Sequence, residues 1–181
     1  IDFDNPKNLA FSAGPDQNYI FKYNEHIGVI NAKDVIKEAE EKFAKIFGRE
    51  YTGLIETYKT EDADYIIITL GSVAGLVKEA ADNLREEGIK AGVLRIRYLR
   101  PFPNEEIAEA VKNAKDISFG NEGTVYTNVN SALRKNDVNI PTSNYIGGLG
   151  GKNISCREVE DIYIELKDDR FGIHFLGIGE E

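Results

Sequence analysis

The chain has 181 residues and a formal charge of −9, with a pI near 4.9. That length holds one substantial core, or one core plus an arm. The acidity excludes nonspecific nucleic-acid binding, which depends on Lys and Arg neutralising phosphates. No apolar run approaches the roughly 20 residues a membrane span needs, and no signal peptide opens the chain, so a soluble cytoplasmic protein with no membrane or nucleic-acid partner is expected.

Residues 1–18 carry Asn5-Pro6, Gly14-Pro15, Asp16 and Asn18, which read as turn and loop signals. From Tyr19 to Phe47 the pattern becomes helical. Val35, Ile36, Ala39, Phe43, Ile46 and Phe47 form one stripe at spacings of three and four, and Gly48 is positioned as a C-cap. Gly28 leaves open whether this is one helix or two. Tyr51-Thr52-Gly53 marks a break. An α/β core then begins near Asp64.

Tyr65 to Leu70 is a continuous apolar run, as in a strand covered on both faces. Ser72 to Glu87 reads as a helix burying Val73, Leu76, Val77, Ala80, Ala81 and Leu84, and Gly92 to Leu99 as a second strand. Pro101 and Pro103 stop ladder pairing, and Asn104 is placed to cap the next helix. Asp116 to Gly120 reads as a third strand, Gly123 to Lys135 as a helix, and Asn139 to Tyr145 as a short strand. Gly147 to Gly151 reads as a flexible loop. Ser155-Cys156-Arg157-Glu158 has capping-box spacing before a helix burying Val159, Ile162, Tyr163 and Leu166. The tail from Asp168 is left unassigned. Strands alternating with helices imply a mostly parallel open sheet with helices on both faces. The expected division is a helical arm or linker over 1–60 and an α/β domain over 61–181.

Three positions follow strand ends, where α/β proteins place their sites. Gly71-Ser72 opens a helix, either as a tight turn with Ser72 as N-cap or as an anion or partner contact. Arg100 precedes a rigid Pro-Phe-Pro turn, whereas Arg95 and Arg97 read as partners of nearby carboxylates. Glu122 lies in Asn121-Glu122-Gly123, either as a base or orienting group or as a carboxylate near a helix dipole. Gly147 to Gly151, followed by Lys152, is a phosphate cradle or a mobile connection. Cys156 is the single cysteine and makes neither a disulfide nor an iron–sulfur cluster by itself. His26 and His174 lack metal-ligand spacing. Methionine is absent and the first residue is Ile1, so a processed chain or an excised fragment is expected.

Several segments, in order, resemble the alpha subunit of multi-subunit pyruvate:ferredoxin oxidoreductases (pyruvate synthases). They are Lys45-Ile46-Phe47-Gly48-Arg49, Thr60-Glu61-Asp62-Ala63-Asp64, Thr69-Leu70-Gly71-Ser72, Leu84 to Gly92, Arg97-Tyr98-Leu99-Arg100-Pro101-Phe102-Pro103, Phe119-Gly120-Asn121-Glu122-Gly123 and Asn144 to Gly151. The resemblance covers roughly residues 15–166 and implies a transketolase C-terminal-like domain. It implies an enzyme that decarboxylates pyruvate, reduces ferredoxin through iron–sulfur clusters and forms acetyl-CoA. Thiamin diphosphate, Mg, the clusters and the beta, gamma and delta subunits belong to the complex. The family's cofactor-contacting motifs have no counterpart here, so no catalytic, cofactor or metal residue is expected in this chain. Ser72, Arg100 and Glu122 are candidates for substrate-channel or subunit contacts. The alternatives are a 2-oxoisovalerate or 2-oxoglutarate enzyme of the same family, a stand-alone module binding a nucleotide or a coenzyme A phosphate, and a structural dimerisation domain.

Overall fold

The computed structural model describes residues 3–4, 12–51, 53–120, 123–168 and 172–178. The elements in chain order are α1 (Pro15–Phe47), β1 (Ile55–Tyr58), β2 (Tyr65–Leu70), α2 (Val73–Glu86), β3 (Ala91–Ile96), α3 (Asn104–Val111), β4 (Asp116–Gly120), α4 (Gly123–Lys135), β5 (Thr142–Ile146), α5 (Cys156–Lys167) and β6 (Ile173–Phe175). No helix among the described residues is long and apolar enough to cross a membrane.

The six strands form one sheet in the order β1-β3-β2-β4-β5-β6. Only β1 runs antiparallel to its neighbour; the other pairings are parallel. Helices cover both faces. On one face α2 and α5 join a core with Ile67, Val93 and Tyr145. On the other, α3 and α4 join a core with Ile66, Ile68, Leu94 and Ile117. Because side chains alternate along a strand, β2 feeds both cores. The mostly parallel, doubly covered sheet read from the sequence is the one observed.

The crossovers are not all of one hand. From β2 the chain passes through α2 one place toward the β1 edge, and from β5 through α5 one place toward the β6 edge. Both helices lie on the same face, so these two crossovers have opposite hands. The connections through α3 and α4 run toward the β6 edge on the other face and share the hand of the first. The β5–α5–β6 connection is therefore the exception to a strong rule. Its cause is coverage. Without α5 the α2 face would leave Ile67 and Tyr145 short of apolar cover, and α5 packs over the strands at the centre of the sheet with Val159, Ile162, Tyr163 and Leu166 buried. The Ser155–Glu158 capping box sets where α5 starts.

Several local expectations change. The first helix begins at Pro15, so Pro15, Asp16 and Asn18 are helical rather than loop; Pro at the first helical position suits its fixed φ. It is one helix of 33 residues that runs through Gly28. Its stripe is not buried: Val35 is 64 %, Ile46 72 % and Phe47 62 % exposed. Gly48 does cap it, in the left-handed conformation. Strands β1 and β6 were not anticipated, and β1 brings residues before 61 into the sheet. Asn104 is the first helical residue rather than the cap, and its Nδ2 donates to the Phe102 carbonyl.

Gly92 in β3 shows how closely the edge connection approaches the sheet. A Cβ there would lie 2.7 Å from Ala63 Cβ and 2.8 Å from the Lys59 carbonyl oxygen. The Gly92 carbonyl accepts a hydrogen bond from the buried Tyr163 hydroxyl at 2.8 Å. Gly92→Ala is expected to lower stability by about 1–3 kcal/mol through overpacking. Gly75→Ala, in open space on helix α2, is expected to raise it by about 0.5–1 kcal/mol. Urea unfolding midpoints at unchanged slope measure both.

Candidate functional site at the carboxyl edge

In parallel strands the backbone runs out of the sheet on one side, and the loops that follow gather there. Leu70 of β2 pairs in register with Ile96 of β3, and Gly120 of β4 with Tyr145 of β5. The described segments after these strands, Gly71-Ser72, Arg97 to Pro103 and Gly147 to Gly151, therefore share one edge.

Ser72 stands at the N-cap position of α2 and is exposed. It does not cap in the expected way. A capping side chain needs an extended backbone, whereas Ser72 is already helical at φ −74°, ψ −25°, and its hydroxyl makes no cap hydrogen bond. Gly71, at φ 69°, makes the turn. Thr69, two residues before, is fully buried on β2.

Arg100 is exposed, and its Nη1 donates to the Leu99 carbonyl at 2.6 Å. The turn behind it is anchored: Pro101 and Pro103 are buried, and Phe102 packs on the α3–α4 core. The Arg100–Pro101 peptide is cis. Glu122 and Asn121 lie outside the described residues. Of the three candidates, the structure thus places Ser72 and Arg100 on the same edge, beyond the ends of the neighbouring strands β2 and β3.

Lys152 lends no support to a phosphate-cradle reading of the Gly147–Gly151 segment, because its ammonium is engaged elsewhere. Leu149–Gly151 is one short turn in which Gly150, at φ 63°, and Gly151, at φ 81°, are left-handed. Gly147 is packed against Ile154 and Leu176, and a Cβ there would lie 2.8 Å from Leu176 Cδ1. The Lys152 ammonium is turned away onto the Gly177 carbonyl. Cys156 is half-buried next to Glu160, 3.6 Å away, and burial pushes its thiol pKa up, with the Glu160 charge adding to the rise. It is not an activated nucleophile. His174 stacks on Tyr145 at 4.7 Å between ring centroids.

The other two arginines are held by carboxylates, as read from the sequence. Arg95 Nη1 donates to Glu56 Oε2 at 3.3 Å, and the Lys78 ammonium of α2 binds the other Glu56 oxygen. Arg97, beyond the end of β3, turns to Glu40 of α1, with 2.7 Å between Nη1 and Oε1. Neither Glu40 nor Glu56 was legible as a partner. Each meets its arginine only through pairings between distant segments.

Among the described residues no group of three or more His, Cys, Asp or Glu gathers as a metal site. A diphosphate-bound Mg needs oxygen ligands brought together, and an iron–sulfur cluster needs several thiolates where this chain has one. These donors do not fit thiamin diphosphate with Mg, or a cluster, by themselves, and no reaction step is assigned to them.

Lys78, through its hydrogen bond, holds the Glu56 carboxyl below the usual range against an opposing cost of burial. A folded pKa below the unfolded one gives stability that is present at neutral pH and lost as pH falls through the carboxylate range. Glu56→Gln is expected to cost about 1 kcal/mol or less at neutral pH. The gap from the parent should close below the ordinary Glu pKa of 4.5. Urea unfolding at the two pH values measures it.

Residues 63–159, more than half of the chain, match the family described as pyruvate:ferredoxin oxidoreductase core domain II. Ketoisovalerate oxidoreductase subunit VorA of Pyrococcus horikoshii is 40% identical over 92% of this chain and 44% of its own length. Pyruvate synthase subunit PorA of Methanothermobacter thermautotrophicus is 35% identical over 100% of this chain and 48% of its own. The chain thus spans about half the length of the curated relatives it matches. A 2-oxoglutarate:ferredoxin oxidoreductase from Magnetococcus marinus, solved with 2-oxoglutarate, coenzyme A and succinyl-CoA bound, shares the fold. Its TM-score is 0.50 at 22% identity, over 64% of this chain and 20% of that one. A split-gene transketolase, solved as an inactive beta4 tetramer, does so at TM-score 0.53 and 19% identity, over 65% and 42%. By the match over residues 63–159, which hold β2 to β5, the chain belongs to the pyruvate:ferredoxin oxidoreductase core domain II family.

Proposed function

We propose that this chain is part of the alpha subunit of a 2-oxoacid:ferredoxin oxidoreductase that oxidatively decarboxylates pyruvate, reduces ferredoxin and forms acetyl-CoA in the cytoplasm. The observation that carries this reading is the family match over residues 63–159, joined to relatives that are PorA and VorA subunits. Thiamin diphosphate, Mg and iron–sulfur clusters reside in other parts of the complex, with beta, gamma and delta subunits as partners. When bound there, the thiamin group supplies the carbanion chemistry of decarboxylation. This chain supplies a rigid sheet edge. Residues before the sheet, α1 above all, form a linking arm, and the α/β body follows. Ser72, Arg100 and Glu122 are the proposed contacts with substrate channel or neighbouring subunit. Arg100 is the one whose fixed positive charge suits a carboxylate or phosphate.

The Arg100-Pro101-Phe102-Pro103 turn and the Asn121-Glu122-Gly123-Thr124-Val125-Tyr126 segment resemble the pyruvate enzymes and support that substrate. A branched 2-oxoacid is the second reading, since VorA subunits stand among the relatives beside PorA subunits. The test is to isolate the native complex with antibodies against this chain and to assay reduction of a low-potential dye. Reduction dependent on coenzyme A and preferring pyruvate is the expected result. Preference for 2-oxoisovalerate or 2-oxoglutarate selects another substrate. A chain free of oxidoreductase partners overturns the reading.

In the complex, Arg100→Ala is expected to lower kcat/KM by about tenfold, the size of one lost charge-assisted hydrogen bond. Arg100→Lys should restore part of the loss. Steady-state kinetics with the 2-oxoacid and coenzyme A varied in turn shows which ligand Arg100 meets.

A further inference from the structure

Helix α1 is 33 residues long, and none of them is buried. Neither core contains an α1 side chain, and none of the partly buried residues packed on those cores belongs to it. The hydrogen bonds and ion pairs that tie it to the body come in two clasps. In the first, Lys33 Nζ lies 2.8 Å from Glu105 Oε2 and 3.3 Å from Glu106 Oε2 on α3. Burial disfavours the Lys33 charge, yet the two carboxylates outweigh it and its pKa rises.

The second clasp lies two turns further along α1. Glu40 Oε1 accepts from Arg97 Nη1 at 2.7 Å, and Glu40 Oε2 accepts from the Gly53 N–H at 2.9 Å. Arg97 also donates to the Gly53 carbonyl at 2.5 Å, and its guanidinium lies over the Tyr51 and Tyr98 rings at 4.7 and 5.5 Å. Beside the clasps, between α1 and the body, an open crevice of about 940 Å³ is lined by Ile36, Ala44, Leu54 and Ile55 with charged residues around them. A close-packed interface leaves no such space. Gly48 at φ 65° and Gly53 at φ 82° bracket the connection to β1 and supply turning points.

We propose that α1 is a hinged arm, docked on the α/β body by these two ionic clasps acting together and released when either is neutralised or screened. The inference concerns the chain's own mechanics and stands apart from the oxidoreductase reading. It has two consequences. The clasps are coupled, because one rigid helix carries both. The docked state also weakens with salt, since screening shortens the reach of charge pairs and leaves apolar burial in place.

The Gly53 amide is the reporter, because its proton is bonded to Glu40 and lies about 10 Å along α1 from Lys33. Hydrogen exchange is followed by NMR on the 181-residue chain, with the Ile67 amide of β2 as the reporter of the sheet. Lys33→Gln is expected to speed Gly53 exchange about fivefold, the size of one ion pair. Raising NaCl from about 0.01 M to about 1 M should do the same in the unaltered chain, with Ile67 unchanged in both cases. A Gly53 amide indifferent to both overturns the proposal. If Lys33→Gln also speeds Ile67, the salt series decides alone, and a salt-insensitive Gly53 overturns the proposal.

Discussion

Ile66, Ile67 and Ile68 of β2 alternate between two cores and are 0 %, 1 % and 0 % exposed. A strand with apolar residues on both faces has to be covered on both, and that requirement organises the molecule. It forces helices above and below, and therefore crossovers that visit each face. It places β3 and β4 on either side of β2, each in parallel register with it. It also explains α5, which crosses back over the centre of the sheet instead of lying above the pair of strands it connects.

The same arrangement makes one edge of the sheet available. With the hydrogen-bond demand of the strands met inside the body, the described segments leaving β2, β3 and β5 need only turn. Two of them are stiffened by packing, Pro101 to Pro103 by the α3–α4 core and Gly147 by Ile154 and Leu176. Ser72 and Arg100 remain exposed on rigid supports. An exposed arginine held on a stiff turn suits recognition of an anion or a neighbouring subunit better than it suits the core of this body.

The sequence made the central elements legible where local and global demands agree. The Tyr65–Leu70 run, the α4 boundaries and the Ser155–Glu158 box all match their elements, because apolar period, caps and turns point the same way. Strand β1 escaped notice since Ile55-Glu56-Thr57-Tyr58 is a half-buried edge whose identity comes from pairing with β3, some 40 residues later. Strand β6 has three residues and no pattern of its own. The α1 stripe shows the reverse case: Val35, Ile46 and Phe47 have the spacing of a buried face and yet lie exposed, since periodicity encodes a face without encoding its neighbour. Ser72 and Arg100 were singled out as candidates from strand ends alone. Glu40 and Glu56 were not, because an ion pair between distant segments leaves no local trace.

The reversed hand of the β5–α5–β6 connection separates two jobs that a single right-handed unit would combine. Neither Ile173 nor Phe175 of β6 enters a core, while the four buried residues of α5 do. The last strand is therefore an appendix to the domain: it closes the hydrogen-bonding side of β5 and adds no buried side chain of its own. A chain ending just after α5 would keep the buried residues of both cores, lose the Leu176 and His174 cover over Gly147 and Tyr145, and present the open flank of β5 to the next strand that arrived.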